Sequence, residues 1–376
     1  MSPASFAEFS TANIANLGGF SMKLINRWAY AGLAALAIVS TAGMLPARSE
    51  DAPLVVMLLP ENVTARWEGQ DKPMFTEAMK RAYPGARVKV ENALNDASKQ
   101  QAQAEAALAS GAKVLVVTAI DQKGAAVIVN DAKRQGVPVI AYDRLIHNAP
   151  VAYYVSVDGV KIGELQGQFI ADNTKEGGRI AIINGSKLDD NAFLFRKGYM
   201  SVLQPLFDKK SRVLVADPWV PLWDPSKAQA QMEQILTATN NGVDAVLSPN
   251  DGMAGGIIAA LDGQQLAGKV PVTGLDGTLN SLQLILQGKQ SMTVWRSLKD
   301  ESNKTAQIVA ALLKGETPSA DLFGGAKMNN EMVDVPWAQV TPNVITLDNM
   351  NLVIEDGAVT KEAVCKGMPR VGPCKQ

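Results

Sequence analysis

Short runs of branched apolar residues recur along this chain, a helical pattern follows each one, and the rhythm is written twice. The first series of predicted strands is Leu54–Leu59, Val88–Glu91, Val114–Thr118 and Val137–Tyr142. The second is Ile180–Asn184, Val213–Ala216, Ala245–Ser248 and Val270–Gly274. Helical patterns at Ser98–Ala109, Ala125–Arg134, Gly163–Asn173, Ala228–Ala238 and Gly252–Leu261 lie between them. Strands that are apolar on both faces, with helices between, predict parallel sheets covered on both sides. Right-handed crossovers then put a ligand at the carboxyl ends of the strands. The fold class is therefore α/β, with two similar doubly wound lobes. Tyr153–Gly159 reads as a strand leading from one lobe to the next. Ser291–Arg296, the helix Asn303–Leu313 and the extended, proline-containing Val333–Ile345 come later, so the chain crosses between lobes more than once.

Composition narrows the chemistry. The 376 residues carry 36 basic and 37 acidic side chains, a net charge of −1, which gives no general attraction to nucleic acid. The one histidine, His147, excludes a cage of several imidazoles, and two cysteines exclude zinc ribbons and iron–sulfur clusters. His147, in DRLIHNAP, reads as a surface loop residue. Gly263–Val270 almost spells a phosphate loop, but Val270 stands where Ser or Thr must ligate magnesium, and the segment follows a helix instead of a strand. It reads as a helix end and turn. No G-x-G-x-x-G opens a helix after a strand and no G-x-S-x-G elbow is present. No catalytic residue and no cofactor are called for.

From Met22 the chain reads as an export address. Lys23 and Arg27 precede the apolar stretch Trp28–Val39, and small residues follow up to Ala47 and Ser49. Met22 reads as the start, Met1–Ser21 as an upstream extension, and the mature chain as beginning near Glu50. Cys365 and Cys374 enclose KGMPRVGP, and in an oxidising compartment they are expected to form a disulfide.

Polar and aromatic residues gather at the predicted strand ends. They are Arg66 and Trp67, Asp143 and Arg144, Asn191 and Arg196, Trp219, Asn250 and Asp251, Asp276, and Arg296. A sugar offers hydroxyls that both donate and accept, and an apolar C–H face. Asp accepts, Arg donates through a planar fork, Asn does both, and Trp supplies a flat wall. Asp251, one residue past Asn250, is expected to cap the helix beginning near Gly252.

The segments ARWEGQD, VIAYDRLI, IGELQGQ, DDNAFLFRKG, LSPNDGMAGG, TGLDG and MTVW resemble the periplasmic sugar-binding proteins of ABC transport, closest to the D-xylose-binding family. The resemblance runs from about Leu54 to about Asp356. It implies the type I periplasmic binding protein fold, two lobes joined by a three-segment hinge. It implies a sugar held between the lobes by Arg66, Trp67, Asp143, Arg144, Asn191, Arg196, Trp219, Asn250, Asp276 and Arg296. It also implies a monomer in the periplasm whose partners are a monosaccharide and an inner-membrane ABC permease, or alternatively a sensory partner. The division expected is 1–49 for the leader, 50–156 with 295–332 for the first lobe, and 157–294 with 333–376 for the second. The chain departs from the family pattern at Asp189-Asp190-Asn191, where the family has DNN, and at Arg296, where a lysine is usual. Arginine and lysine are not interchangeable at a buried site, so these changes bear on which sugar fits.

Overall fold

The computed structural model describes residues 52–375, so the predicted leader lies outside the described residues. In the first half the order is β1 (Leu54–Leu59), α1 (Lys72–Ala82), β2 (Arg87–Asn92), α2 (Ala97–Ala109), β3 (Ala112–Val117), α3 (Ala126–Arg134), β4 (Val139–Tyr142) and β5 (Tyr153–Val157). The second half continues with α4 (Gly159–Asp172), β6 (Gly178–Ile182), α5 (Asp190–Asp208), β7 (Arg212–Ala216), α6 (Pro225–Ala238), β8 (Ala245–Leu247), α7 (Asp251–Gly263), α8 (Leu279–Leu286) and β9 (Thr293–Trp295). Then come α9 (Leu298–Leu313), β10 (Lys327–Asn329), β11 (Asp334–Val340) and β12 (Asn343–Ile345).

The first sheet has seven strands in the order β10-β11-β5-β4-β3-β1-β2, parallel except at β10. All six residues of β1 are buried, as a central strand requires. Because side chains alternate across a strand, Val55, Met57 and Leu59 enter one core, with Phe75 and Val309, while Leu54, Val56 and Leu58 enter the other, with Leu108 and Ile128. The second sheet repeats the winding with less hydrogen bonding. Strands β7-β6-β8 form a ladder, and the sequence beyond β8 is joined only by the bridges Val246–Val272 and Leu275–Val294. The predicted strand Val270–Gly274 is reduced to these contacts, and Pro271, just before Val272, has no amide hydrogen for a ladder.

The chain passes from the first sheet to the second after β5, back between β9 and α9, and out again between β11 and β12, since β12 pairs with β9. The expected division assigns 333–376 to the second lobe, yet the first residues of that range join the first sheet. Trp337–Val340 of β11 pairs in parallel with Tyr154–Val157 of β5, because β11 carries inward-facing Val335, Trp337 and Ala338 that only the first sheet can cover.

Acidic and amide side chains start the helices. Asp158 caps α4, Asp189 caps α5 and Asp224 caps α6, each accepting a backbone N–H of the first turn. At α7 the cap is Asn250, whose Oδ1 accepts from Met253 N–H at 3.0 Å, and not Asp251 as expected. Asp251 is already inside the helix and buried, accepting from Thr278 N–H and Gln290 Nε2. Helices α4 and α5 cross with backbone against backbone. A Cβ at Gly163 would sit 2.0 Å from the Phe195 carbonyl oxygen, and one at Gly198 would sit 2.1 Å from that of Val160.

The C-terminal segment forms a small core of its own under α8, with Trp295, Ile345, Val353, Val364 and Cys374. The Cα atoms of Cys365 and Cys374 are 5.5 Å apart, within the span of a disulfide.

Candidate functional site

A cleft opens where the carboxyl ends of the two sheets face each other. Eight of the ten predicted residues line it: Arg66, Trp67, Asp143, Arg144, Asn191, Asn250, Asp276 and Arg296. All eight are almost fully buried.

Asp143 and Asp276 form its two acidic poles. Each ends the fourth strand position of its sheet, and each donates its backbone N–H to the fifth, Asp143 to the Val155 carbonyl and Asp276 to that of Val294. Both adopt left-handed backbone, with φ of 64° and 108°. Non-glycine residues rarely do so, and such strain gathers at functional sites. At Asp276 the following Gly277 also has positive φ, and Trp295 leaves no room there for a Cβ.

The cations sit between these poles. Arg66 donates from Nε and Nη2 to both oxygens of Asp71, at 2.8 and 2.6 Å, and from Nη1 to Asp143 at 2.7 Å. Arg296 bonds Asp143 directly and reaches Asp276 at 3.4 Å and Glu301 at 3.3 Å. Arg144 Nε lies 2.7 Å from Asp189 Oδ2. Asn191 Nδ2 donates to Asp143 Oδ1 at 3.1 Å. Asn250 commits its oxygen to the α7 cap, so its amide N–H2 is the group left for a ligand.

Burial pushes the carboxyl groups of Asp143 and Asp276 upward, Asp276 well above the usual range, while Arg66 pulls each back. Burial raises Asp189 to about 6 despite the opposing Arg144, and Asp251 to about 6 despite four hydrogen-bond donors. The Glu301 carboxyl is likewise raised well above its ordinary value by burial, with Arg66 opposing. These buried acids are held in place by fixed cations and donors, as a site for a polar neutral ligand requires.

Two predicted residues are elsewhere. Arg196 is half-buried outside the cleft and makes a two-point ion pair with Asp217, both bonds 2.6 Å. Trp219 lies past the end of β7, packed on Phe193 and beneath Lys187 and Arg196. The second tryptophan lining the cleft is instead Trp223. Leu222 and Trp223 both have left-handed backbone, with φ of 59° and 57°, and this turns the indole inward. Its Nε1–H donates to Asp189 Oδ2 at 3.0 Å, and its ring lies over Gly185, where any Cβ would strike it. The sequence carries a signal for this choice. Asp224-Pro225 is a helix start, which puts Trp223, not Trp219, at the mouth of α6. Asp71, Asp189 and Glu301 were also missed. The Nη2 of Arg66 lies 3.8 Å from Glu301, and Tyr142 OH donates to Asp71 at 2.7 Å, so these acids back the arginines.

Residues 55–317 match a family described as the periplasmic binding protein domain. A D-xylose-binding periplasmic protein of Haemophilus influenzae is 39% identical over 300 residues, covering 80% of this chain and 88% of that one. The chain belongs to the periplasmic binding protein family. A D-xylose-binding periplasmic protein of Escherichia coli is 38% identical over 293 residues, covering 78% of this chain and 86% of the other. Among solved structures, a carbohydrate transporter solute-binding protein from Chloroflexus aurantiacus in complex with D-glucose superposes with a TM-score of 0.76 at 30% identity, covering 82% of this chain and 97% of that one. As a member of this family of binding proteins the chain has the type I fold and is not an enzyme.

Proposed function

We propose that this periplasmic binding protein captures a monosaccharide, D-xylose or a related aldose, and delivers it to an inner-membrane ABC permease. One observation carries the reading. Asp143, Asn191, Asn250, Asp276 and three guanidinium groups converge, all almost fully buried, in one cleft with the indoles of Trp67 and Trp223. Flat indoles suit the C–H faces of a pyranose, and the acids, amides and guanidinium forks suit its hydroxyls. The names of the relatives support a sugar, and the D-glucose complex extends the range beyond pentoses.

On this reading residues 22–49 carry the export address, the mature chain acts as a monomer, and Cys365 pairs with Cys374. The lobes meet around the sugar, with β10 and β11 moving as part of the first. Thermal-shift screening and titration calorimetry over pentoses, hexoses and polyols test it. A ligand at 100 times its Kd adds about 2.7 kcal/mol of stability. A screen in which no aldose raises the melting temperature would sink the proposal. Stimulation of ATP hydrolysis by the cognate permease in proteoliposomes, only with protein and sugar together, tests delivery.

A further inference from the structure

Outside the pocket, the two walls of the cleft touch along one edge. Three consecutive residues before and inside the first turn of α5 each reach the loop after β4 on the other wall. Asp189 reaches Arg144, Asp190 reaches His147, and Asn191 reaches Asp143. Asp189, Asn191, Arg144 and Asp143 line the pocket, whereas Asp190 and His147 do not. His147 Nε2 lies 3.0 Å from Asp190 Oδ1, and Nδ1 lies 3.5 Å from Glu331 Oε1 on the β10–β11 turn, though neither ring nitrogen is aligned as a hydrogen bond. The His147 side chain is only 10% exposed and Asp190 13%, so the predicted surface loop residue is enclosed by the opposite wall. Lys123 lies 3.8 Å from Glu331 on the outer side.

The backbone beside this pair is tied in the same direction. Gln122 N–H donates to the Leu188 carbonyl at 2.9 Å across the cleft, and the Gln122 carbonyl accepts from His147 N–H at 2.8 Å. The imidazole is thus carried on one wall, held in register by Gln122, and faces a carboxylate carried on the other. Separation of the walls breaks the Gln122–Leu188 bond and the His147–Asp190 contact together, and neither involves a group that a ligand would touch.

We propose that His147 and Asp190 form a rim clasp that holds the cleft shut and so sets how long a bound sugar stays. The proposal rests on the sugar-binding reading above. His147 and Asp190 are positioning residues here, acting on release through wall closure. A mostly buried pair that forms only in the closed arrangement changes dissociation far more than association.

Stopped-flow tryptophan fluorescence with the tightest binder among D-xylose, L-arabinose, D-ribose, D-glucose and D-galactose reads both rates, since Trp67 and Trp223 line the pocket. His147→Gln and Asp190→Asn should each raise the dissociation rate by roughly three- to tenfold and leave the association rate unchanged. The double variant should be no faster than the singles, and His147→Lys, a cation facing the same carboxylates, should restore slow release. The sugar-free variants should unfold at the parent's temperature. Unchanged dissociation in both single variants overturns the clasp, as does faster dissociation accompanied by a lowered sugar-free melting temperature and no rescue by His147→Lys. A parent protein that binds none of the five sugars overturns the sugar-binding reading, and the clasp falls with it.

Discussion

Asp143 and Asp276 hold the same place in the two windings, yet they are satisfied differently. Asp143 is bonded by Arg66, Arg296 and Asn191 at hydrogen-bond distance. Asp276 has its cations at 3.4 and 3.7 Å. The first carboxylate therefore organises the arginines, and the second retains acceptor capacity for a ligand. The difference follows from the chain around them. Arg66 comes from the loop after β1, beside Asp143 in the same sheet, and Arg296 follows β9 directly and crosses toward the first sheet on its way to α9.

The contrast breaks most visibly at Asp143. Asp143→Ala leaves two buried guanidinium groups short of a partner, and loss of one member of a buried pair costs about 3–5 kcal/mol. Urea unfolding should show that loss, with sugar binding abolished. Asp276→Ala should invert the pattern, with stability held or raised and sugar affinity reduced by about tenfold to several hundredfold, since hydrogen bonds to a charged group contribute roughly 1.5–3 kcal/mol each. Equal stability losses at the two positions would erase the distinction.

The aromatic walls sharpen it next. Trp223→Ala should weaken binding by about tenfold or more, as loss of a buried aromatic anchor does. Trp219→Ala should leave calorimetric affinity within about twofold, because its indole packs on Phe193 outside the cleft. A smaller effect appears with pH. Asp251 keeps its proton in the folded state up to about 6, against an ordinary value of 3.8. The folded state then binds more protons in that window, so this group's contribution to stability is present below about pH 4 and is lost as pH rises to about 6. The stability difference between the parent and Asp251→Asn should move in that direction on chemical unfolding at pH 4, 5, 6 and 7. Reduction of the Cys365–Cys374 pair should have the least influence on the site. The small core under α8 should loosen in hydrogen exchange while sugar affinity stays unchanged.

Much of this was legible because strand-end chemistry and strand period coincide. Asp143-Arg144, Asn250 and Asp276 were placed by the apolar runs ahead of them, and all reached the cleft. Trp219 and Arg196 lie outside the cleft for a local reason. Trp219 lies three residues past the strand end at Ala216, and the left-handed Leu222 and Trp223 turn the later indole into the cleft instead. Arg196 shares a helix with Asn191, but its guanidinium is drawn off by Asp217, whose proximity depends on how β6 and β7 pair. Asp71 and Glu301 were invisible because each is one acid among many on a helical stretch, and only the closing of the first sheet brings both beside Arg66. The assignment of β11 required knowing which core its inward face could enter.

The contact of Gly163 and Gly198 bears on selectivity. Where two helices meet through side chains, a misfitting guest can be accommodated by a change of rotamer. Where they meet through carbonyl oxygens and Cα atoms, there is nothing to rotate. Asp189, Asn191 and Phe195 all ride on the start of α5, so the wall they form has little compliance. A guest of the wrong outline meets a surface that does not reshape, and discrimination between epimers then comes from stiffness as much as from the groups presented.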